Sequence, residues 1–234
     1  KDCLAPAGNS IRLLRLFSAL ACATNFPEGY TNSYPNTSHE TFRQLINDTY
    51  IRRVDPAGLS PAFFTWYWSG ILNIWLLGSF IGTLFTPIVN DRLGRRTALL
   101  FANSIGLAAS LLAFFSVSTA LTEAFIVARL SASIGTGISF GSLILFLQEV
   151  TPTEMRGITS FMSETTFMAT ATLGVGFGMD IVFGRNLPLL TGVAIAPALC
   201  SILIVLPLHE TPKFCLINRG DRAAAARALV YYRG

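Results

Sequence analysis

The chain has 234 residues, 52% hydrophobic and only 13% charged, with a formal net charge of +4. Soluble domains carry roughly 25% charged residues, and the mean hydropathy of +0.54 points away from them. A soluble enzyme, a disordered chain and a nucleic-acid-binding domain all fit poorly. The basic residues sit in short clusters between apolar runs, not along one face, which reads as orientation in a lipid bilayer. Cys3, Cys22, Cys200 and Cys215 follow no metal spacing, and no disulfide is expected. Running from Lys1 to Gly234, the chain is expected to be a fragment, with no cleavable signal peptide.

Crossing a bilayer takes about 20 mainly apolar residues. In chain order, the candidate spans are residues 16–38, 62–90, 97–122, 130–148, 157–179 and 186–208. The first holds one charge, Glu28, and the fifth one, Glu164; the other four hold none. Continuous apolar runs favour helices over a β-barrel, because lipid offers backbone groups no other partner. The expected fold is therefore an all-α membrane protein with six transmembrane helices.

Six spans put both ends on one side. That side, with the connections after spans two and four, carries Lys1, Arg12, Arg15, Arg92, Arg95, Arg96, Arg156, Lys213, Arg219, Arg222, Arg227 and Arg233. The other side carries only Arg43, Arg52, Arg53 and Arg185. The positive-inside rule then predicts cytoplasmic termini and an external loop over about residues 39–60. Asn47-Asp48-Thr49 is a glycosylation sequon on that external loop, and Asn36-Thr37-Ser38 lies just before it.

Within the spans, Gly78 and Gly82, then Gly135, Gly137 and Gly141, then Gly174, Gly176 and Gly178 have spacings that allow close helix packing. Pro87, Pro197 and Pro207 suggest kinks or helix ends. Three charged stretches fall at predicted cytoplasmic helix ends: Asn90 to Arg96, Gln148 to Gly157, and His209 to Phe214. Arg92, Arg95 and Arg96 could pair there with Glu149 and Glu210. Pairs of that kind form in one conformation and break in another. The alternative is that the arginines only set topology.

These stretches resemble the sugar porters, the branch of the major facilitator superfamily that includes the facilitative glucose and fructose transporters. Asp91-Arg92-Leu93-Gly94-Arg95-Arg96 resembles the D-R-x-G-R-R loop of that family. Arg129, then Glu149 and Arg156-Gly157, resemble its R…E-x-x-P-x-x-x-R-G pattern. His209-Glu210-Thr211-Pro212-Lys213-Phe214 resembles P-E-S-P-R-F, and Phe26 to Tyr30 resembles the F-x-x-G-Y stretch of helix one. Pro87, in place of a glycine, and His209, in place of a proline, depart from the pattern. The resemblance implies residues 1–208 as the N-terminal six-helix bundle and 209–234 as the start of a cytoplasmic helical linker. A C-terminal half would lie outside this chain. It also implies a hexose-like solute, alternating access, and a conformational latch made of Asp91, Arg92, Arg95, Arg96, Arg129, Glu149, Arg156 and Glu210. Asn47 falls where the animal hexose transporters carry a glycan, and a plasma-membrane location is implied.

At the position of the sugar-binding glutamine of helix five, this chain has Glu164. An ionisable group in mid-membrane costs at least about 2.5 kcal/mol, so it is expected to face a wet cavity, a partner or the cytoplasmic end. It could accept from sugar hydroxyls, titrate in a proton-coupled carrier, or simply be solvated. Phe167 and Ala171 share its helical face and are expected to line the same cavity. His39 and His209 fall on opposite sides, so no shared metal site is expected, and no cofactor, nucleotide loop or catalytic triad is seen. Facilitative sugar transport is the expectation. Its rivals are a carrier of another solute, coupled to protons through Glu164, and a sugar sensor that does not transport.

Overall fold

A computed structural model describes the backbone of residues 7–233 and the side chains of residues 13–232. The side chains of Lys1, Cys3, Arg12 and Arg233 lie outside the described residues. Among the described residues there are helices and turns but no strand.

The helices are α1 (Ala7–Thr37), α2 (His39–Arg53), α3 (Pro61–Leu93), α4 (Arg95–Ser118), α5 (Thr122–Val150), α6 (Arg156–Phe177), α7 (Leu187–Gly192), α8 (Ile195–Val205), α9 (Pro212–Ile217) and α10 (Arg222–Arg233), with one 3₁₀ turn at Thr153–Met155. Four segments are long and apolar enough to cross a membrane: α3, α4, α5 and Leu187–Val205, which spans α7 and α8. Helices α1 and α6 are 31 and 22 residues long. They carry Glu28 and Glu164, and do not reach that apolarity.

The main pairings are α1 with α6, α3 with α5, and α4 with α5, with α7 and α8 closing against α4 and α1. Glycines bring α3 onto α5. A Cβ on Gly137 would stand 2.7 Å from the Thr83 backbone nitrogen, and one on Gly82 would stand 3.0 Å from Gly137 Cα. Gly174 seats α6 on α1 in the same way, its Cβ position 2.8 Å from the Tyr30 carbonyl. Gly176, by contrast, faces open space. Polar bonds fix the α1–α6 register: Asn25 Nδ2 donates to the Ser163 carbonyl at 2.8 Å, and Thr170 Oγ1 to the Asn25 carbonyl at 3.1 Å.

One expectation about these elements needs correction. Residues 39–53 are a helix and not a loop. Phe42, Ile46 and Thr49 recur at helical spacing and are the buried face of α2, with Phe42 and Ile46 packed into a cluster with Tyr34, Phe64, Trp68 and Phe125. The sixth candidate span, Leu187–Val205, keeps helical dihedrals through Val193 and Ala194; its hydrogen-bond ladder is interrupted there because Pro197 has no N–H to offer the Val193 carbonyl. Pro87 stays inside a continuous α3. Cys22, Cys200 and Cys215 are free thiols.

Candidate functional site

The connections α3–α4, α5–α6 and α8–α9 meet at one end of the bundle. The chain reverses between α3 and α4 at Gly94, whose φ is +98°. A Cβ there would meet Phe214 Cε1 at 2.8 Å and Glu210 Cδ at 2.9 Å. Backbone conformation and space both demand glycine. The turn delivers Arg95 inward, where it is 7% exposed. Its Nη2 donates to Glu149 Oε1 at 3.1 Å, and its Nε lies 3.1 Å from Glu149 Oε2. Asp91 is a looser, exposed partner at 3.7 Å. The Phe214 ring lies 5.1 Å from the guanidinium carbon, a distance at which cation and ring attract.

Glu149, whose side chain is 4% exposed, also accepts from Thr211 Oγ1 at 2.6 Å, with Lys213 at 3.8 Å. Glu210 takes a different role from the expected arginine pairing. Its Oε1 accepts the backbone N–H groups of Arg96 at 2.9 Å and Thr211 at 3.0 Å, so it caps the start of α4, where anions are favoured. Arg96 reaches back to the Val205 and Leu206 carbonyls at the end of α8, satisfying orphan acceptors where cations are favoured. Thr211 caps α9 by accepting from Phe214 N at 3.3 Å. The pair and its supports therefore tie α4, α5, α8 and α9 into one knot.

Other expected residues stand apart. Arg92 is exposed. Arg156 is exposed too, and donates to the Thr151 carbonyl at 3.4 Å; it borders a cleft of about 280 Å³ shared with Glu149 and Lys213. Arg129 does not belong to this cluster. It lies about 30 Å away along α5, 4% exposed, donating to the Thr31 carbonyl at 2.9 Å and the Ile71 carbonyl at 3.1 Å, beneath Trp75.

Glu164 is exposed on α6. Residues Thr159, Ser163, Thr170 and Gly174 of α6 are the ones buried in the bundle, which leaves Glu164 on its outer surface. Phe167 is half-buried, edge-on to Phe140 of α5 at 5.9 Å, and Ala171 is half-buried beside it. The buried acid is Glu28, 6% exposed in α1. Sequence reasoning passed over it: both acids read as one charge in an apolar run, and only packing tells them apart.

A wider comparison adds the family. A family model described as "Sugar (and other) transporter" matches residues 18–233. Among relatives, the human protein called solute carrier family 2, facilitated glucose transporter member 7, is 29% identical over 95% of this chain and 43% of its own length. The chicken member 1 is 29% identical over 88% and 42%, and the mouse member 5 is 30% identical over 92% and 43%. Among solved structures, the proton:xylose symporter XylE bound to 6-bromo-6-deoxy-D-glucose superposes with a TM-score of 0.81 at 17% identity, covering 97% of this chain and 50% of that one. Inward-open XylE from E. coli gives 0.67 at 16% identity. The fold is that of a major facilitator, an all-helical integral membrane protein. The chain belongs to the sugar (and other) transporter family, and it spans less than half the length of these curated relatives.

Proposed function

We infer that this chain is the N-terminal half of a facilitative transporter for a hexose-like sugar, working by alternating access. The observation that carries this reading is the buried Arg95–Glu149 pair with its Thr211, Glu210 and Arg96 supports, set in a chain of this family. A buried pair is weak as a source of stability, because desolvation offsets attraction. As a device that closes one end of the bundle it is effective: helix ends that separate must break it. Residues 1–208 are the bundle and 209–234 begin the linker. Asp91, Arg95, Glu149 and Glu210 hold the cytoplasmic end shut, while Arg92 and Arg156 are free to meet the C-terminal half.

Glu164 is exposed on α6, with Phe167 and Ala171 half-buried along the same helix, and that stretch of α6 is the sugar-facing wall in this reading. The termini are cytoplasmic, α2 is external, and the plasma membrane is the site of action. Asn36 is exposed at the end of α1. Asn47 Oδ1 accepts from Leu59 N at 3.0 Å, so the side-chain oxygen is engaged and not the nitrogen to which a glycan would attach. Uptake of labelled glucose and fructose by the full-length protein in proteoliposomes, at acidic and neutral pH, tests the reading. Saturable, pH-independent uptake altered by Glu164→Gln is expected; uptake of neither sugar would overturn it.

A further inference from the structure

Helix α1 meets α4 and α5 around a cavity of about 20 Å³, lined among others by Thr24, Pro27, Glu28, Asn103 and Ser110. That volume takes a single water-sized occupant. Glu28 Oε2, Thr24 Oγ1 and Asn103 Nδ2 are all buried without a hydrogen-bond partner, and each of the three side chains belongs to a residue at least nine-tenths buried. Pro27 has no N–H, so the Ala23 carbonyl also lacks its usual helical donor. Orphaned buried polar atoms are rare and need an explanation.

Charge sharpens the question. No cationic side chain lies within ion-pair distance of Glu28 among the described residues. On the helices packed against α1, α5 brings Arg129 and, at its ends, Glu123 and Glu149. Helix α4 brings Arg95 and Arg96 at its start, α6 brings Arg156 and Glu164, and α8 brings only Cys200. Arg129 is committed to two carbonyls and a ring. A carboxylate whose one neighbouring donor is the Ser139 hydroxyl is too costly in such a place without a balancing positive charge. Asn103 accepts from Ser139 Oγ at 3.2 Å. Turned about, its amide would donate to Ser139 and present an oxygen to the cavity, the same hydrogen-bond count with the opposite face.

We propose that Glu28, Thr24 and Asn103 form a binding site for one small monovalent cation, Na⁺ or a proton, at the junction of α1, α4 and α5. One carboxylate balances one positive charge, and the neutral oxygens complete a hard-ligand shell suited to Na⁺. No group of three or more His, Cys, Asp or Glu occurs among the described residues, so a divalent ion is not the natural occupant. The site lies within this half and is independent of which solute is carried.

The test is the thermal midpoint of the purified full-length protein. NaCl, KCl and choline chloride would be compared at constant ionic strength, across a pH series. A saturable rise with Na⁺ alone identifies Na⁺, because a ligand that binds only the folded state stabilises it by mass action. A rise on acidification without Na⁺ dependence identifies the proton. In either case Glu28→Gln should abolish the response. Ser139→Ala, which removes the hydroxyl that both Asn103 and Glu28 use, should weaken the apparent affinity about tenfold, and it keeps the test open if Glu28→Gln does not fold. Identical responses of the wild type, Glu28→Gln and Ser139→Ala to Na⁺, K⁺ and pH would mean that the cavity holds water alone, and would overturn the proposal.

Discussion

Arg95 and Glu149 are each surrounded by groups that presume the other. Removing one leaves a buried charge unpaired, a loss of about 3–5 kcal/mol. Arg95→Ala should therefore lower the thermal midpoint sharply, and Glu149→Gln should do so less, since glutamine keeps an acceptor for Thr211. Both should also reduce the accessibility of cysteine probes on the external face, by releasing the cytoplasmic end; unchanged accessibility would count against the latch. Gly94 makes an independent demand. Gly94→Ala asks for a positive φ and a space already filled by Glu210 and Phe214, so a loss of about 1–3 kcal/mol is expected in a denaturation curve. The sequence showed this cluster well, because charged residues at apolar-run ends are conspicuous. It misassigned Arg129, since a motif places residues along the chain while 30 Å of helix separates the two ends. It weighed Glu164 over Glu28, because exposure within a bundle depends on which face meets a neighbour.

Between elements, the contact of α3 with α5 depends on missing side chains. Gly137→Leu would drive a side chain into Ser79 to Thr83 of α3, and overpacking of that kind costs about 1–3 kcal/mol or more. Gly176→Leu, which faces open space, should be tolerated, and comparing the two variants by thermal shift isolates the packing effect. At the other end of the chain, Asp221 caps α10 by accepting from Ala224 N at 2.9 Å. Tyr232 anchors that helix, edge-on to Phe146, its hydroxyl donating to the His209 carbonyl at 2.6 Å. Burial pushes the Tyr232 phenol up, so it stays a donor. Asp221→Ala with Tyr232→Phe should each remove about 1 kcal/mol, read as faster proteolysis after Arg219 or Arg222 with an intact bundle. The helix after Gly220 was legible from its alanines and its Asp221 start. Helix α2 was not, although Phe42, Ile46 and Thr49 carry the period, because its many charged residues looked like a loop.

At the scale of the molecule, the apolar runs read as six spans, of which four are long and apolar enough to cross a membrane, and the major facilitator fold came with the motifs. The interruption at Val193 and Ala194 had its signal in Pro197, which offers no N–H to the carbonyl one turn back. Much apolar surface of the bundle remains exposed: Leu76, Phe80 and Leu84 on α3, and Phe161, Met168 and Leu173 on α6, are 45–73% exposed. Lipid or a second bundle covers such surface. If the solute site lies between two bundles, one bundle cannot alternate access. The most direct measurement compares labelled hexose uptake by the full-length protein with uptake by residues 1–234 alone, both in proteoliposomes. Saturable uptake by the full-length protein and none by residues 1–234 is the predicted result. Saturable uptake by residues 1–234, or no hexose uptake by either, would contradict the account.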